Sequence, residues 1–302
     1  MKPAEFEYFA PDTVAEAAAI LARYDGEAKV LAGGQSLVPL LNMRLARPQA
    51  LVDLNRVPGL DGIREDGDRL VIGAMTRQRD VERSELVRRT QPLLHEAVTL
   101  IAHPQIRNRG TIGGSLAHAD PASELPAVAL SLGAEFTVAG PRGDRTLPAQ
   151  DFFVTFLTTA LQPDEILTSI SFPTSAANTG TSVHEIARRH GDFALAGAAA
   201  TVTLDGSRCS DTRIALFGVG ATAVRATGAE DVLRGAEVSD AALDSAADAA
   251  RDEIDDPLTD IHASSEFRRH LARTMTRRSL ATAVERARPD GRPSGRNGDT
   301  HG

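Results

Sequence analysis

The chain has 302 residues, of which 42% are hydrophobic and 25% are charged, and its formal net charge is −8. These proportions are typical of globular proteins, which excludes a fibrous or largely disordered chain, and the length indicates two domains or three small ones. The acidic charge argues against a nucleic-acid-binding protein, which usually has a basic face. No apolar stretch is long enough to cross a membrane and the N-terminus lacks a signal-peptide pattern, so we expect a cytoplasmic protein.

The chain contains one cysteine, Cys209. One thiolate cannot ligate an iron–sulfur cluster, which normally needs four protein ligands, and it cannot build a Cys-rich zinc site. A disulfide within the chain is also excluded, which suits a reducing compartment. Any iron–sulfur centre that this protein uses must therefore belong to another chain.

The first predicted elements, over residues 1–54, are a strand, a helix, a strand, a turn, a helix and a strand. Thr13 and Glu16 form a capping-box pattern before the first helix. A second αβ block is predicted from about Leu60 to Pro173. Its predicted helices are residues 76–84, 91–101 and 124–132, and its predicted strands are residues 70–73, 135–138 and 165–172.

The small-residue segment Pro173–Thr181 is the predicted domain boundary. After it, alternating residues predict the strands of an antiparallel sheet at 184–187, 198–204 and 213–219. Three helices are then predicted at 229–234, 240–253 and 264–286. The polar, glycine- and proline-rich tail from Pro289 is predicted to be disordered.

The first segment that could carry chemistry is Ala32–Leu37, where Gly33-Gly34 ends a strand and Ser36 precedes a helix. Consecutive glycines allow backbone N–H groups to point into one concavity, which is a favourable site for a phosphate. Ser36 adds a hydroxyl donor. The alternative is an ordinary turn that uses glycine for its geometry alone.

A second segment, Arg107–Ser115, repeats this chemistry with Gly113, Gly114 and Ser115. Two such turns could grip a diphosphate from both sides, so together they predict a bound nucleotide or dinucleotide. Arg107 and Arg109 could serve the anion or could simply be solvated.

Two further motifs are weaker. His118–Pro126 contains His118, Asp120, Ser123 and Glu124, and we interpret it as polar ligand contacts plus helix capping rather than a metal site. Gly218–Ala223 matches the loose dinucleotide pattern G-x-G-x-x-A. We reject it as an NAD site, because we expect only helical segments after it and no second strand.

The segments AGGQSLVPLLNMRLARPQALVDLNRV, IGAMTRQRDVE and HPQIRNRGTIGGSLAHADPASELPAVALSLGA resemble the FAD-binding medium subunit of molybdenum hydroxylases. The nearest type is the carbon monoxide dehydrogenase medium subunit, which is related to the flavin domain of xanthine dehydrogenase. The likeness runs from Phe6 to about Arg286. It implies an α+β fold whose FAD-binding domain, of the vanillyl-alcohol-oxidase (PCMH) type, spans residues 1–177 in two αβ subdomains at about 1–57 and 58–177. A C-terminal domain with an antiparallel sheet and helices would span 178–288, and the disordered tail 289–302.

The resemblance also implies the residues that contact FAD. Both glycine turns would wrap the diphosphate and ribityl chain through Ala32, Gly33, Gly34, Gln35, Ser36, Leu37, Thr111, Gly113, Gly114 and Ser115. Ala102 and Ile106 would flank the adenine side, Ser123 and Glu124 would contact polar cofactor groups, and Leu167 would pack against the cofactor. The chain departs from many relatives in having Gln35 for histidine and Phe193 for tyrosine.

By the same resemblance, a large partner subunit carries a molybdenum cofactor and a small one carries two [2Fe–2S] clusters, in an (αβγ)₂ assembly. This chain would take electrons from the clusters onto FAD and pass them to an external acceptor, with no catalytic acid–base residue and no metal of its own. One alternative is a free-standing FAD-dependent oxidoreductase acting on a small substrate. The other is a nucleotide-binding assembly subunit without turnover. Carbon monoxide, an N-heterocycle and an aldehyde are all open as substrates, and the acceptor is open too.

Overall fold

The computed structural model describes residues 1–288, and the tail predicted to be disordered lies outside the described residues. The fold is α+β, as predicted. Its N-terminal part is a three-stranded parallel sheet in the order β1-β3-β2. The elements here are β1 (Glu7–Phe9), α1 (Val14–Arg23), β2 (Ala28–Leu31), α2 (Leu37–Asn42) and β3 (Ala50–Asp53). The Thr13 side chain accepts a hydrogen bond from the Glu16 N–H at 3.1 Å, so the predicted cap of α1 is confirmed.

The middle part is built on a five-stranded antiparallel sheet in the order β4-β5-β10-β6-β7, with a separate two-stranded sheet. Its strands are β4 (Ile63–Asp66), β5 (Arg69–Gly73), β6 (Glu135–Gly140), β7 (Gly143–Pro148), β8 (Phe153–Thr155), β9 (Thr158–Thr159) and β10 (Ile166–Pro173). Its helices are α3 (Gln78–Arg83), α4 (Glu85–Thr90), α5 (Pro92–Leu100), α6 (Pro104–Arg107), α7 (Ile112–His118), α8 (Glu124–Leu132) and α9 (Ala149–Phe152).

Helix α7 corrects the expectation of a loop that leads into a glycine turn. Gly113 and Gly114 lie inside the first turn of this helix, after Thr111 as its N-cap. Glycine disfavours helix interiors by about 1 kcal/mol relative to alanine, so the sequence pattern indicated a loop. Burial of Ile112 and Leu116 against the sheet stabilises the helix instead.

The C-terminal part is a four-stranded antiparallel sheet in the order β11-β12-β13-β14. Its elements are β11 (Thr179–Ala187), β12 (Ala194–Asp205), β13 (Arg208–Phe217), β14 (Val224–Arg225), α10 (Thr227–Leu233), α11 (Asp240–Asp252) and α12 (Ser265–Ala287). Residues 174–178 connect it to β10, a shorter linker than we predict, because β10 and β11 extend into both ends of the segment. The Gly218–Ala223 motif joins β13 to β14, so a strand does follow it, contrary to expectation, but in an antiparallel sheet.

Helix α8 shows how the middle and C-terminal parts pack. All nine of its residues are buried, because it contacts β10 on one side and β12 and β13 on the other. Phe172 of β10 and Phe217 of β13 belong to the same hydrophobic core as this helix. The C-terminal sheet therefore covers the helix that begins with Glu124. Across residues 1–288, no helix has the length and apolar character that a membrane span requires.

Candidate cofactor-binding site

The first glycine turn presents a row of hydrogen-bond donors. The chain leaves β2, and Gly34 adopts a φ of +73°, a left-handed conformation that favours glycine. Among the described residues, the five backbone N–H groups of 33–37 find no hydrogen-bond acceptor, and neither does the Ser36 hydroxyl. The Gln35 side chain is engaged in the turn itself, because its Nε2 donates to the Gly33 oxygen at 2.9 Å. Successive free N–H groups of this kind form an anion-binding concavity.

The second glycine turn is different, because its own N–H groups are already bonded. Gly113 N donates to the Ala74 oxygen at 2.8 Å, and Gly114 N donates to Thr111 Oγ1 at 3.0 Å. The N–H groups of Ile112 and Ser115 donate to the oxygens of Thr76 and Thr111. The expectation that both turns offer backbone N–H groups is therefore wrong for residues 112–115. Within residues 1–288 the Thr111 N–H and the Ser115 hydroxyl have no such partner; Ser115 is partly exposed, whereas Thr111 is buried.

The two turns lie against each other. A Cβ atom added to Gly33 would be 2.3 Å from the Arg109 oxygen and 2.8 Å from Gly110 Cα. A Cβ added to Gly114 would be 3.2 Å from Ala32 Cβ. The absence of side chains at Gly33 and Gly114 thus allows two segments about eighty residues apart to pack against each other, so the two glycine motifs meet. That they hold one ligand between them stays a prediction.

The segment before the second turn contains the two residues expected near adenine. Ala102 has a φ of +42°, and the Ile106 oxygen accepts the Gly110 N–H at 2.7 Å, which shapes the entry into the turn. Arg107 is neither free for an anion nor solvated. It is buried and bonded to Glu82, with 2.9 Å between Arg107 Nε and Glu82 Oε2. The Arg109 guanidinium is exposed and makes no ion pair in the described part of the chain.

Glu124 and Ser123 lie at the start of the buried helix α8. The Ser123 side chain does not cap this helix, and the preceding turn is held by Asp120, whose Oδ1 accepts the Ala122 N–H at 2.9 Å. Glu124 is 8% exposed, and burial together with the negative charge of Glu185 raises the pKa of its carboxyl to about 8. Glu124 is therefore mostly protonated at neutral pH and is able to donate a hydrogen bond.

Leu167 and Phe193 belong to neither turn. Leu167 is buried in β10, paired with Val138, and belongs to the hydrophobic core on which α7 packs. Phe193 is 64% exposed in the loop between β11 and β12. That loop contacts the Ala102–Ile106 segment, because a Cβ on Gly191 would be 2.4 Å from His103 Cε1.

Sequence reasoning missed Asn55 and Arg77, which donate hydrogen bonds to the backbone of the two segments. Asn55 Nδ2 donates to the Ala32 oxygen at 3.0 Å. A signal for Asn55 was present: it follows β3, and adjacent parallel strands deliver the residues after their carboxyl ends to one edge of the sheet. No sequence signal connects Arg77 to this place, since it follows β5 of a different sheet.

Comparison with known proteins identifies the family. Residues 4–175 match the model of the FAD binding domain in molybdopterin dehydrogenase, and residues 181–283 match the CO dehydrogenase flavoprotein C-terminal domain. The chain belongs to the FAD-binding medium subunits of molybdenum hydroxylases. The resemblance inferred from the sequence is thereby confirmed, and with it the FAD-binding domain.

Individual relatives cover most of this medium subunit. It is 45% identical over 275 residues to the 6-hydroxypseudooxynicotine dehydrogenase complex subunit alpha of Paenarthrobacter nicotinovorans, covering 91% of this chain and 93% of that protein. It is 44% identical to the carbon monoxide dehydrogenase medium chain of Hydrogenophaga pseudoflava, covering 80% and 85%. A solved structure of carbon monoxide dehydrogenase from that organism superposes with a TM-score of 0.93 at 43% identity, covering 95% of this chain and 99% of the other. Quinoline 2-oxidoreductase from Pseudomonas putida 86 gives a TM-score of 0.90 at 38% identity, covering 95% and 99%.

Proposed function

We propose that this medium subunit is the electron-transfer flavoprotein of a molybdenum hydroxylase complex, taking electrons from [2Fe–2S] clusters of a partner and delivering them to an external acceptor. The observation that carries the proposal is the row of unbonded N–H groups at residues 33–37. These donors and the Ser36 hydroxyl fit the diphosphate of FAD, which is the anionic part of that cofactor. Bound FAD supplies the redox chemistry, and the protein supplies binding and orientation.

Different residues of this chain would bind different parts of FAD. The first turn would donate its N–H groups to the diphosphate, and the second turn would close over it with the Thr111 N–H and the Ser115 hydroxyl. Ala102 and Ile106 would flank the adenine side. The protonated Glu124 carboxyl would donate to a polar cofactor group, with Ser123 beside it. Leu167 would act from the core beneath, as part of the surface that holds α7.

The partner assignment rests on the single cysteine of this chain, which is too few for an iron–sulfur cluster, and on the names of its relatives. Cys209, the one cysteine, is buried, and burial raises the pKa of its thiol to about 11, which makes it a poor metal ligand. Two relatives are named as a medium chain and as a complex subunit. We therefore propose a large molybdopterin-binding subunit and a small [2Fe–2S] subunit as partners, in an (αβγ)₂ assembly located in the cytoplasm.

The domain limits are part of the same proposal. Residues 1–177 would form the FAD-binding domain, with subdomains at about 1–57 and 58–177, and residues 178–288 would form the C-terminal domain. Each of these three ranges contains one of the larger sheets. Residues 174–178, between β10 and β11, make the connection.

The test is to purify the full chain both alone and with the chains that accompany it in its host. We expect flavin absorbance in both preparations, and molybdenum and iron in the second alone. In the isolated chain, neither aldehydes nor N-heterocycles should bleach the flavin under anaerobic conditions, whereas a reduced [2Fe–2S] partner should bleach it. Bleaching of the isolated chain by such a substrate would instead support a free-standing oxidoreductase. A preparation without flavin would support a subunit without turnover.

A further inference from the structure

We propose that Asn55 and Arg77 are positioning residues that join the two glycine turns and set the direction of the N–H groups offered to the FAD diphosphate. This inference rests on the placement of the diphosphate proposed above. It assigns a role in cofactor binding to two side chains that belong to neither glycine motif.

Asn55 fixes the first turn. Its Nδ2 donates to the Ala32 oxygen at 3.0 Å and to Asp53 Oδ1 at 2.5 Å. The trans peptide is planar, and its C=O and N–H point in opposite directions. Holding the Ala32 oxygen therefore directs the Gly33 N–H away from Asn55. Gln35 acts in the same way one peptide later, because its bond to the Gly33 oxygen sets the direction of the Gly34 N–H.

Arg77 connects Asn55 to the second segment. Its Nη2 donates to Asn55 Oδ1 at 2.5 Å, and its Nη1 donates to the Arg109 oxygen at 2.5 Å. Because a guanidinium only donates, it requires the amide oxygen of Asn55 on its own side, which leaves the Nδ2 for the Ala32 oxygen. One planar side chain thus sets the amide orientation that the first turn needs.

The second bond of Arg77 ends at the point where the turns touch. The Arg109 oxygen is the atom that a Cβ on Gly33 would meet at 2.3 Å. Arg77 therefore holds this oxygen against Gly33, while Asn55 holds the neighbouring Ala32 oxygen. The hydrogen-bonded series Ala32–Asn55–Arg77–Arg109 thus links the two turns.

The charges around Arg77 are mixed. Burial lowers the pKa of Arg77 and the positive charge of Arg109 lowers it further, whereas the carboxylates of Asp80, Asp53 and Asp61 raise it. The proposed role of Asn55 and Arg77 therefore rests on the geometry of their hydrogen bonds and not on a local excess of positive charge.

The chain offers a matched control in Arg79 and Asn108. Arg79 lies on α3, whose N-cap residue is Arg77, and its Nη1 donates to Asn108 Oδ1 at 2.9 Å, one residue before Arg109. It ties the same helix to the same segment through an arginine–asparagine pair. It contacts neither the Ala32 oxygen nor the Arg109 oxygen, so it should be dispensable for FAD binding.

The experiment removes FAD from the full chain and titrates it back, in parallel with riboflavin, which has no phosphate. Asn55→Ala and Arg77→Met should each weaken FAD binding by about tenfold or more, equal to about 1.4 kcal/mol, and leave riboflavin binding unchanged. The FAD affinity of the double variant should be only slightly lower than that of whichever single variant binds FAD less tightly, because both residues act in one series. Arg79→Met should bind FAD like wild type. Thermal melting of each apo-protein checks that it folds.

The conservative variant separates position from charge. Arg77→Lys keeps the positive charge but loses the planar fork, so its FAD affinity should stay close to that of Arg77→Met. Wild-type FAD affinity in Arg77→Lys would overturn the proposal, because charge alone would then suffice. Equal losses for FAD and riboflavin would also overturn it, by indicating a general structural role. A wild-type chain that binds riboflavin as tightly as FAD would instead refute the diphosphate placement itself.

Discussion

The contact between the two turns makes Gly33 a sensitive position of the site. In Gly33→Ala the new Cβ would lie 2.3 Å from the Arg109 oxygen and 2.8 Å from Gly110 Cα. Both are backbone atoms, so neither can rotate away. Ordinary contacts to carbon begin at about 3.5 Å, so the segments must separate by about 1 Å. Overpacking of this kind typically costs about 1–3 kcal/mol.

This cost should appear in FAD affinity rather than in folding. The apo-protein can relax by moving the turns apart, whereas FAD needs them together. A cost of about 1–3 kcal/mol corresponds to roughly a 5- to 150-fold weaker Kd. The assay is the ratio of flavin to protein after gel filtration, followed by a fluorescence titration of the apo-protein with FAD. Urea denaturation of the apo-protein should change by less than about 1 kcal/mol.

Gly220→Ala is the matched control for this substitution. Gly220 lacks a positive φ, and the nearest atom to an added Cβ is Val224 Cγ2 at 3.5 Å, an ordinary contact. It also lies in the rejected G-x-G-x-x-A motif, so this variant should keep full flavin content. Wild-type FAD affinity in Gly33→Ala would refute the close approach of the turns as a requirement for binding. Equal flavin loss in Gly220→Ala would show that the Gly33 effect is not specific.

Three further predictions concern single side chains. Ser36→Ala removes a hydroxyl that is unbonded within residues 1–288; FAD affinity measured by titration should fall about tenfold, and an unchanged Kd would count against a diphosphate at this turn. Burial, with the charge of Glu185, raises the pKa of Glu124 to about 8 from 4.5, so the free energy of unfolding of the apo-protein should fall as the pH rises from 4.5 to 8. Glu124→Gln should make that fall smaller, as measured by urea denaturation at several pH values. Part of the fall should remain, because burial also raises the pKa of Glu185 to about 7. An unaltered pH profile would contradict this. Cys209 is buried and its thiol pKa is raised to about 11 by burial, so a thiol reagent should label it in denatured protein and hardly at all in native protein, and rapid native labelling would contradict its burial.

Much of the element order could be predicted from local pattern. Helix α8 has the predicted limits, Glu124–Leu132, because Gly133, which ends the helix in a left-handed conformation, is a local signal. The first glycine turn was also predictable, since the strand, the Gly33-Gly34 pair and the following helix are contiguous. Short edge strands such as β4 and β14 were missed, because they are defined by pairing with a neighbour rather than by periodicity.

The sequence by itself determined the cofactor class, through two glycine motifs of recognisable spacing and a single cysteine that excludes clusters. Only the tertiary structure decided which of the two turns keeps unbonded N–H groups. The N–H groups of residues 112–115 donate hydrogen bonds to Thr111 at the start of α7 or to the oxygens of Ala74 and Thr76. No pattern within the motif reveals these hydrogen bonds. The bond from Arg77 to Asn55 likewise joins two sheets across 22 residues. Such pairings depend on how whole elements pack, because hydrogen bonds form between groups that are close in space rather than in sequence.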